Sequence, residues 1–444
     1  MEKKDLVPSY DNICSTFCDD SIGRNEELLF FVSLLNSISG PYSIAVDGRW
    51  GSGKTFFVKQ AKMLFDVHNP FSQLIDWNID AHRNVVKETW VKLAKRYSKE
   101  QWEPSPQLCV YFDAWEYDSE SDPIATLLYQ IARVASSEYN LPSERNPVDI
   151  LGNILDVISG RNIKDLLLSL KSTTITDDVT RNLDVRSQIN AYFTALLPEH
   201  GDRLIIFIDE LDRCAPSYAV KLLERIKHYF INDKITFVFS LNMEQMQHTI
   251  RQHYGSGFDA HKYIERFFDL PIPMPPLKRK RFNNTLPYDT SYTVFQIADA
   301  FAQRNHMEMR EITRYYSALN MVTQVAVSSY SGNSLWFCYY FLLPVALGLQ
   351  KTDISKYHHF LNGEDSSPLI DLLSFESVFD YASEFFKETQ EDQVKTLVEK
   401  AYSAILVDGR NGKSNTIQNH HYNETTYDYF SRTISFLSRT TVIQ

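Results

Sequence analysis

Two stretches of this chain combine residue types and spacing that can do chemistry. The first, Gly48-Arg49-Trp50-Gly51-Ser52-Gly53-Lys54-Thr55-Phe56, fits the pattern G-x-x-x-x-G-K-[ST]. Glycines let successive backbone N–H groups curl around an anion without Cβ clashes. Lys54 adds a point charge at the β/γ-phosphates. Thr55 falls in the first turn of a helix, where its hydroxyl can ligate Mg²⁺ and the helix dipole favours negative charge. The second stretch is an apolar run, Leu204 to Ile208, that ends in Asp209-Glu210. A carboxylate at the end of a strand can hold a divalent cation, the role assigned to Asp209. A second one, Glu210, can orient and polarise an attacking water. Asn242, directly after the apolar FVFSL, fits either a contact to a γ-phosphate from a neighbouring strand tip or a helix N-cap.

Such groups work only if strands and helices bring them together, and the patterning supplies both. Tyr42 to Val46, Leu108 to Phe112, Arg203 to Ile208 and Ile235 to Leu241 read as short buried strands. Between them, amphipathic or Pro-initiated helices are predicted at Asn25 to Leu35, Thr55 to Phe65, Val85 to Tyr97, from Pro123 onward, and at Ser217 to Phe230. Strand, glycine loop and helix in alternation predict an α/β fold: a P-loop NTPase core with a parallel sheet flanked by helices. Residues 141–200 read as a helical insertion. The proline-rich Pro271 to Pro276 marks a boundary near 275, so the expected domains are a core at 1–275 and a mainly α-helical lid or C-terminal domain at 276–444. The N-terminal residues before Asn25 read as irregular, and Asn411 to Asp428 as a flexible polar surface segment.

Composition narrows the class further. The 444 residues are 43% hydrophobic and 23% charged, with 45 basic against 56 acidic side chains and a formal charge of −11. That balance excludes collagen-like and wholly disordered chains and argues against an extensive duplex-binding surface, which needs cations to neutralise phosphates. The dense basic run Lys278 to Arg281 leaves a local nucleic-acid contact open beside its plainer reading as a solvated connector. Five cysteines without an even framework point to free thiols. The start, MEKKDLVPSYDN, has no apolar core of a leader peptide, so a cytoplasmic location is expected. Leu335 to Leu349 is apolar but short and interrupted by Pro344, so it is read as a buried helix or helix pair rather than a membrane span. His358-His359 and His420-His421 lack the spacing of a metal site and read as solvated loop residues.

In order along the chain, Ile44 to Phe56 (IAVDGRWGSGKTF), Tyr111 to Tyr117 (YFDAWEY), Ile206 to Cys214 (IFIDELDRC), Tyr263 to Pro276 (YIERFFDLPIPMPP) and Arg310 to Leu319 (REITRYYSAL) together resemble the motif set of the KAP family of P-loop NTPases, relatives of the AAA+ and STAND ATPases. The resemblance covers about residues 20 to 320 and implies ATP and Mg²⁺ as ligands. It implies that Arg266 matches a position from which an arginine finger reaches a neighbouring subunit's nucleotide, with an ion pair to Glu265 or another neighbouring residue as the alternative. Arg310 looks like a lid arginine that reports the γ-phosphate, with Arg314 one turn on. Gly23-Arg24 resembles a segment near the adenine. Position 113 is Asp where the family usually has Asn, and position 210 is Glu where it often has Asp. Asp113 and Glu116 could line the site, while Trp115 is expected in the core.

The function expected from all this is Mg²⁺-dependent ATP hydrolysis that drives or times a conformational change, in a homo-oligomer and, by resemblance, in bacterial anti-phage defence. The alternatives are a slow nucleotide switch that recruits a separate effector protein, or a nucleic-acid-stimulated motor using Lys278 to Arg281.

Overall fold

In the computed structural model the described residues are 7–73, 79–97, 102–120, 122–138, 186–326 except 188 and 195, and 333–440. Five apolar segments become strands: β1 Tyr42–Asp47, β2 Gln107–Asp113, β3 Arg203–Asp209, β4 Ile235–Leu241 and β5 Leu270–Pro273. They form one parallel sheet in the order β2-β3-β4-β1-β5. Every residue of β4 is buried and β3 is buried from Leu204 on, as strands covered on both faces must be. Leu204, Ile206 and Ile208 alternate with Ile205 and Phe207. The first set joins Val110, Phe112, Phe237 and Phe239 in a core beneath α5 and α6.

The helices around the sheet are α1 Tyr10–Cys18, α2 Asn25–Ser37, α3 Lys54–His68, α4 Ile79–Tyr97, α5 Pro123–Ser137, α6 Pro216–Tyr229 and α7 Met243–Tyr254. Proline at the first turn starts α5 and α6, where its missing N–H costs nothing. Asp122 caps α5 by accepting from the amides of Ile124 and Ala125. The stretch before Asn25, read as irregular from the sequence, contains α1, capped by Ser9. The helix buries Ile13, Cys14 and Phe17, and the Gln60 side chain on α3 donates to the Ile13 carbonyl and the Thr16 hydroxyl.

The proline-rich segment read as a connector also holds a strand. β5 pairs with β1, Leu270 opposite Ile44, despite Pro271 and Pro273. It lies at the sheet edge, the place where a residue without an N–H is tolerated. Asp269 supports the pairing from both its groups: its amide donates to the Ser43 carbonyl and its carboxylate accepts from the Ser43 amide.

The chain divides into two compact units, up to Phe282 and from Asn283. The second is helical, with Thr293–Arg304, Met309–Ala326, Leu343–Thr352, Glu376–Phe386, Glu391–Ser403 and Glu424–Thr440 as its longer helices. The apolar run Leu335 to Leu349 buries Phe337, Cys338 and Phe341 to Leu349 here, while Trp336 is exposed. Its helical path passes through a π turn at Cys338–Leu342 just ahead of Pro344, the kind of local widening that accommodates a proline. Among the described residues no helix is long and apolar enough to cross a membrane. The polar segment from Asn411, expected to be flexible, instead forms the hairpin Asn415–Ile417/His420–Tyr422 and runs into a helix. Buried aromatic contacts hold it: Tyr422 is fully buried and the His420 ring stacks on Phe385 at 4.2 Å, so His420 is a packing residue rather than a solvated one. Most of the insertion expected at 141–200 falls outside the described residues.

Asn69, at the carboxyl end of α3, joins the helix to the sheet. It is fully buried, its Nδ2 donates to the carbonyls of Gln107 (2.8 Å) and His200 (2.7 Å), and its Oδ1 accepts from the Phe71 amide. Asn69→Ala removes the side-chain donor to two buried carbonyls and the acceptor of the Phe71 amide, and is predicted to cost roughly 2–4 kcal/mol of stability. Asn69→Asp, which keeps the size but cannot donate, should not restore it. Denaturant unfolding of the three proteins measures this.

Candidate functional site

The carboxyl ends of the parallel strands all open on one edge of the sheet, where α/β folds bind ligands. β1 delivers the glycine loop there. Gly53 turns the chain into α3 with φ of +90°, a conformation that an L side chain rarely adopts. At Gly48 a Cβ would lie 2.8 Å from both Met274 Cβ and Ser52 Oγ, so only glycine lets the loop lie this close to β5. Lys54 folds back under the loop. Its Nζ donates to the carbonyls of Gly48 (2.7 Å) and Arg49 (3.3 Å), and only 8% of the residue is exposed. Burial lowers its proton affinity, opposed by the carboxylates of Asp212, Asp209, Glu210 and Asp47.

The two sequence motifs meet directly. Thr55 Oγ1 donates to Asp209 Oδ2 at 2.7 Å, across the tip of β4. Asp209 is buried and accepts two further hydrogen bonds, from the Tyr111 hydroxyl (2.8 Å, also on Oδ2) and the Glu210 amide (3.0 Å, on Oδ1). Tyr111 was not singled out from the sequence. The signal was a polar-tipped residue inside the otherwise apolar strand LCVYF, two residues before the strand ends. Its hydroxyl is pushed far above the usual tyrosine range by burial and by Asp209, so it stays a donor.

Glu210 follows in the left-handed region, φ +59° and ψ +22°, an unusual backbone for a residue with a Cβ and of the kind found at working sites. Burial first, then the Asp209 carboxylate, push its carboxyl up to about 7, against the pull of Arg213. The Arg213 Nε meets Glu210 Oε2 at 2.6 Å. Asp212, in the same turn, accepts from the Trp50 indole at 2.6 Å and tethers the exposed tip of the glycine loop. Neither Asp212 nor Arg213 was assigned a role from the sequence, although both stand in the motif IFIDELDRC; their spacing around a one-turn 3₁₀ helix is what aims them at the loop.

The remaining expected residues fall out as follows. Arg49 and Trp50 are exposed at the loop tip, Ser52 is buried within it, and Phe56 packs into the core. Asn242 is an N-cap: its Oδ1 accepts from the amides of Glu244 (3.1 Å) and Gln245 (3.2 Å). Arg24 is buried and donates to the Ser52 carbonyl at 2.7 Å, so it braces the loop from behind. Asp113 accepts from the amides of Trp115 and Glu116. That bond needs only a side-chain Oδ1, which Asp supplies as well as the family's Asn would. Trp115 is not in the core; it is half-exposed, with the Arg213 guanidinium over its ring.

Arg266 lies elsewhere. It precedes β5, whose Leu270 pairs with Ile44 near the start of β1, whereas Lys54 follows the end of β1. Parallel pairing therefore puts Arg266 at the amino-terminal end of the sheet, about 20 Å of strand away from its own loop. It is exposed, and Glu265 faces His261 at 3.4 Å instead. Arg310 and Arg314 lie one turn apart on the exposed side of the helix Met309–Ala326 in the second unit. The basic run is drawn into ion pairs: Lys278 with Glu26 and Glu27 (both 3.9 Å) and Arg281 with Asp20.

The donor set fits a phosphate chain with a hard divalent cation. The Thr55 hydroxyl and the Asp209 carboxylate are oxygen donors side by side. The buried Ser52 hydroxyl has no hydrogen-bond partner among the described residues, which suits a phosphate oxygen within the loop. None of the curated proteins compared with the chain matches it. Residues 29–326, well over half the chain, match the KAP family P-loop domain, and the chain belongs to that family of P-loop NTPases.

Proposed function

We propose that this protein is a Mg²⁺-dependent ATPase whose hydrolysis drives or times a conformational change, in an assembly where subunits complete one another's sites. The observation that carries the reading is the 2.7 Å bond between Thr55 and Asp209, with Lys54 on one side and Glu210 on the other. Together these supply a phosphate cradle, a cation seat and a base. Thr55 and Asp209 would hold Mg²⁺, which when bound neutralises charge on the β- and γ-phosphates.

The chain's own residues account for the rest. Backbone amides of the glycine loop other than those of Gly48 and Ser52, which donate to the Leu241 and Arg49 carbonyls, and the buried Lys54 bind and orient the triphosphate; releasing Lys54 from its two carbonyl acceptors requires an acceptor at least as good, which an anionic phosphate oxygen is. Glu210, beside Asp209 at the end of β3, accepts a proton from the water and aligns it for attack in line with the leaving group. Arg266, too distant from its own loop, would act on a neighbour's nucleotide, and Arg310 would report the γ-phosphate from the helical unit. The preference for ATP and a setting in bacterial anti-phage defence, with a separate effector protein, follow from the family resemblance. A nucleic-acid motor is less well supported, because Lys278 and Arg281 are already ion-paired within the chain.

Two measurements test the assignment. Lys54→Ala should weaken ATP binding on the order of tenfold to hundredfold by equilibrium titration, the scale of a lost charge-assisted contact. Glu210→Gln should bind ATP as the wild type does and turn it over roughly 10²–10⁴-fold more slowly. Normal turnover in that variant would remove Glu210 as the base.

Arg266→Ala should stop hydrolysis while leaving binding intact. Mixing it with Glu210→Gln should recover activity, since the Arg266 of one variant would serve the intact Glu210 of the other. Two inactive proteins that stay inactive together would place the whole site in one chain.

A further inference from the structure

Arg213 has no role in the scheme above, yet its surroundings are built. The 3₁₀ turn Leu211–Arg213 brings residues three apart onto one side, so Arg213 sits over Glu210, its Nε 2.6 Å from Oε2. Two indoles flank the same guanidinium: its carbon lies 5.9 Å from the ring centre of Trp50, in the glycine loop, and 5.4 Å from that of Trp115, after β2. Trp50 is itself fixed by its N–H bond to Asp212, the neighbour of Arg213. The loop that would hold phosphate and the carboxylate that would hold water are thus joined through one side chain. Exposed tryptophans have little reason to flank this turn for packing, since Trp50 is 45% and Trp115 53% exposed.

We propose that Arg213 is a positioning residue for hydrolysis: held by Trp50 and Trp115, it fixes the plane of the Glu210 carboxylate by engaging Oε2, so that Oε1 faces the water. This rests on the ATPase reading. It places three residues from three separate motifs in one mechanical unit, and it gives a reason for the two tryptophans that phosphate binding alone does not. A planar guanidinium holds a carboxylate in one orientation where an ammonium does not.

The test is steady-state ATP hydrolysis, with tryptophan emission as a second readout. Arg213→Ala should lower kcat roughly 10–100-fold, the scale of a misplaced catalytic group, while KM for ATP changes by less than about threefold, because the cradle is untouched. Arg213→Lys should recover only part of the rate. Trp115→Ala, which removes an exposed ring and so spares folding, should reproduce part of the loss, and the double variant should be no slower than Arg213→Ala. Emission from Trp50 and Trp115 should change in Arg213→Ala and be partly restored by Lys. An unchanged kcat in Arg213→Ala, full recovery with Lys, or additive losses in the double variant would overturn the proposal while the ATPase reading stands. A wild type that binds ATP through Lys54 and never hydrolyses it would overturn both.

Discussion

The hydrogen bond from Thr55 to Asp209 joins residues 154 positions apart and constrains the whole α/β unit. β1 and β3 are not neighbours. β4 lies between them, so the loop and the carboxylate are separated by two strand spacings, about 10 Å. The first turn of α3 must therefore cross the tip of β4, and the three strands must end almost level. They do: Asp47 is opposite Leu241, and Asp209 opposite Ser240. A slip of β3 by one residue would turn Asp209 to the other face of the sheet. The uninterrupted burial of β3 and β4 on both faces is what makes such a slip costly.

Electrostatics sharpen that constraint. Asp47, Asp209, Glu210 and Asp212 gather within reach of buried Lys54, with Asp113 beside Asp209 and Lys59, and burial with mutual repulsion raises the carboxyls of Asp113 and Glu210, while burial raises that of Asp212 against the pull of Lys54. Such a cluster repels a triphosphate unless cationic charge accompanies it. The arrangement is economical only if Lys54, the loop amides and a divalent ion act together, with the acids tethering what they do not ligate. Asp212 holds Trp50, Asp113 holds the turn after β2, and Asp47 accepts from the Met243 amide at the head of α7.

The parts that follow from local pattern were legible in the sequence. Four of the five strands, the glycine loop and helices α2 to α6 declare themselves through burial periodicity, glycine and proline. Three features were not, each because a distant partner decides it. β5 carries two prolines and reads as a linker until β1 supplies an edge to pair with. α1 and the hairpin at 415–422 carry short mixed patterns and order through distant partners, α1 by burying Ile13 and Phe17 beside Gln60 and the hairpin by burying Tyr422 and stacking His420 on Phe385. In the site, Lys54, Thr55, Asp209 and Glu210 were found by type and spacing. Tyr111, Asp212 and Arg213 meet them through hydrogen bonds and ring contacts that span three motifs, and no spacing rule within one motif exposes them.

The position of Arg266 carries a consequence for assembly. The phosphate loop opens at the carboxyl edge of the sheet and Arg266 stands at the amino edge. A two-fold interface uses the same patch on both partners, and with strands of about 20 Å one patch holds both edges only where the contact runs along the strands. An arginine that serves a neighbour's nucleotide from this position requires a contact that sets one subunit's amino edge against the other's carboxyl edge, and a head-to-tail contact is one that does so. Repetition of such a contact closes into a ring or runs on as a helix, according to the rotation between neighbours. Under the proposed function, every site but a terminal one would then be completed by another copy, turnover would depend on assembly, and control of assembly would become control of hydrolysis.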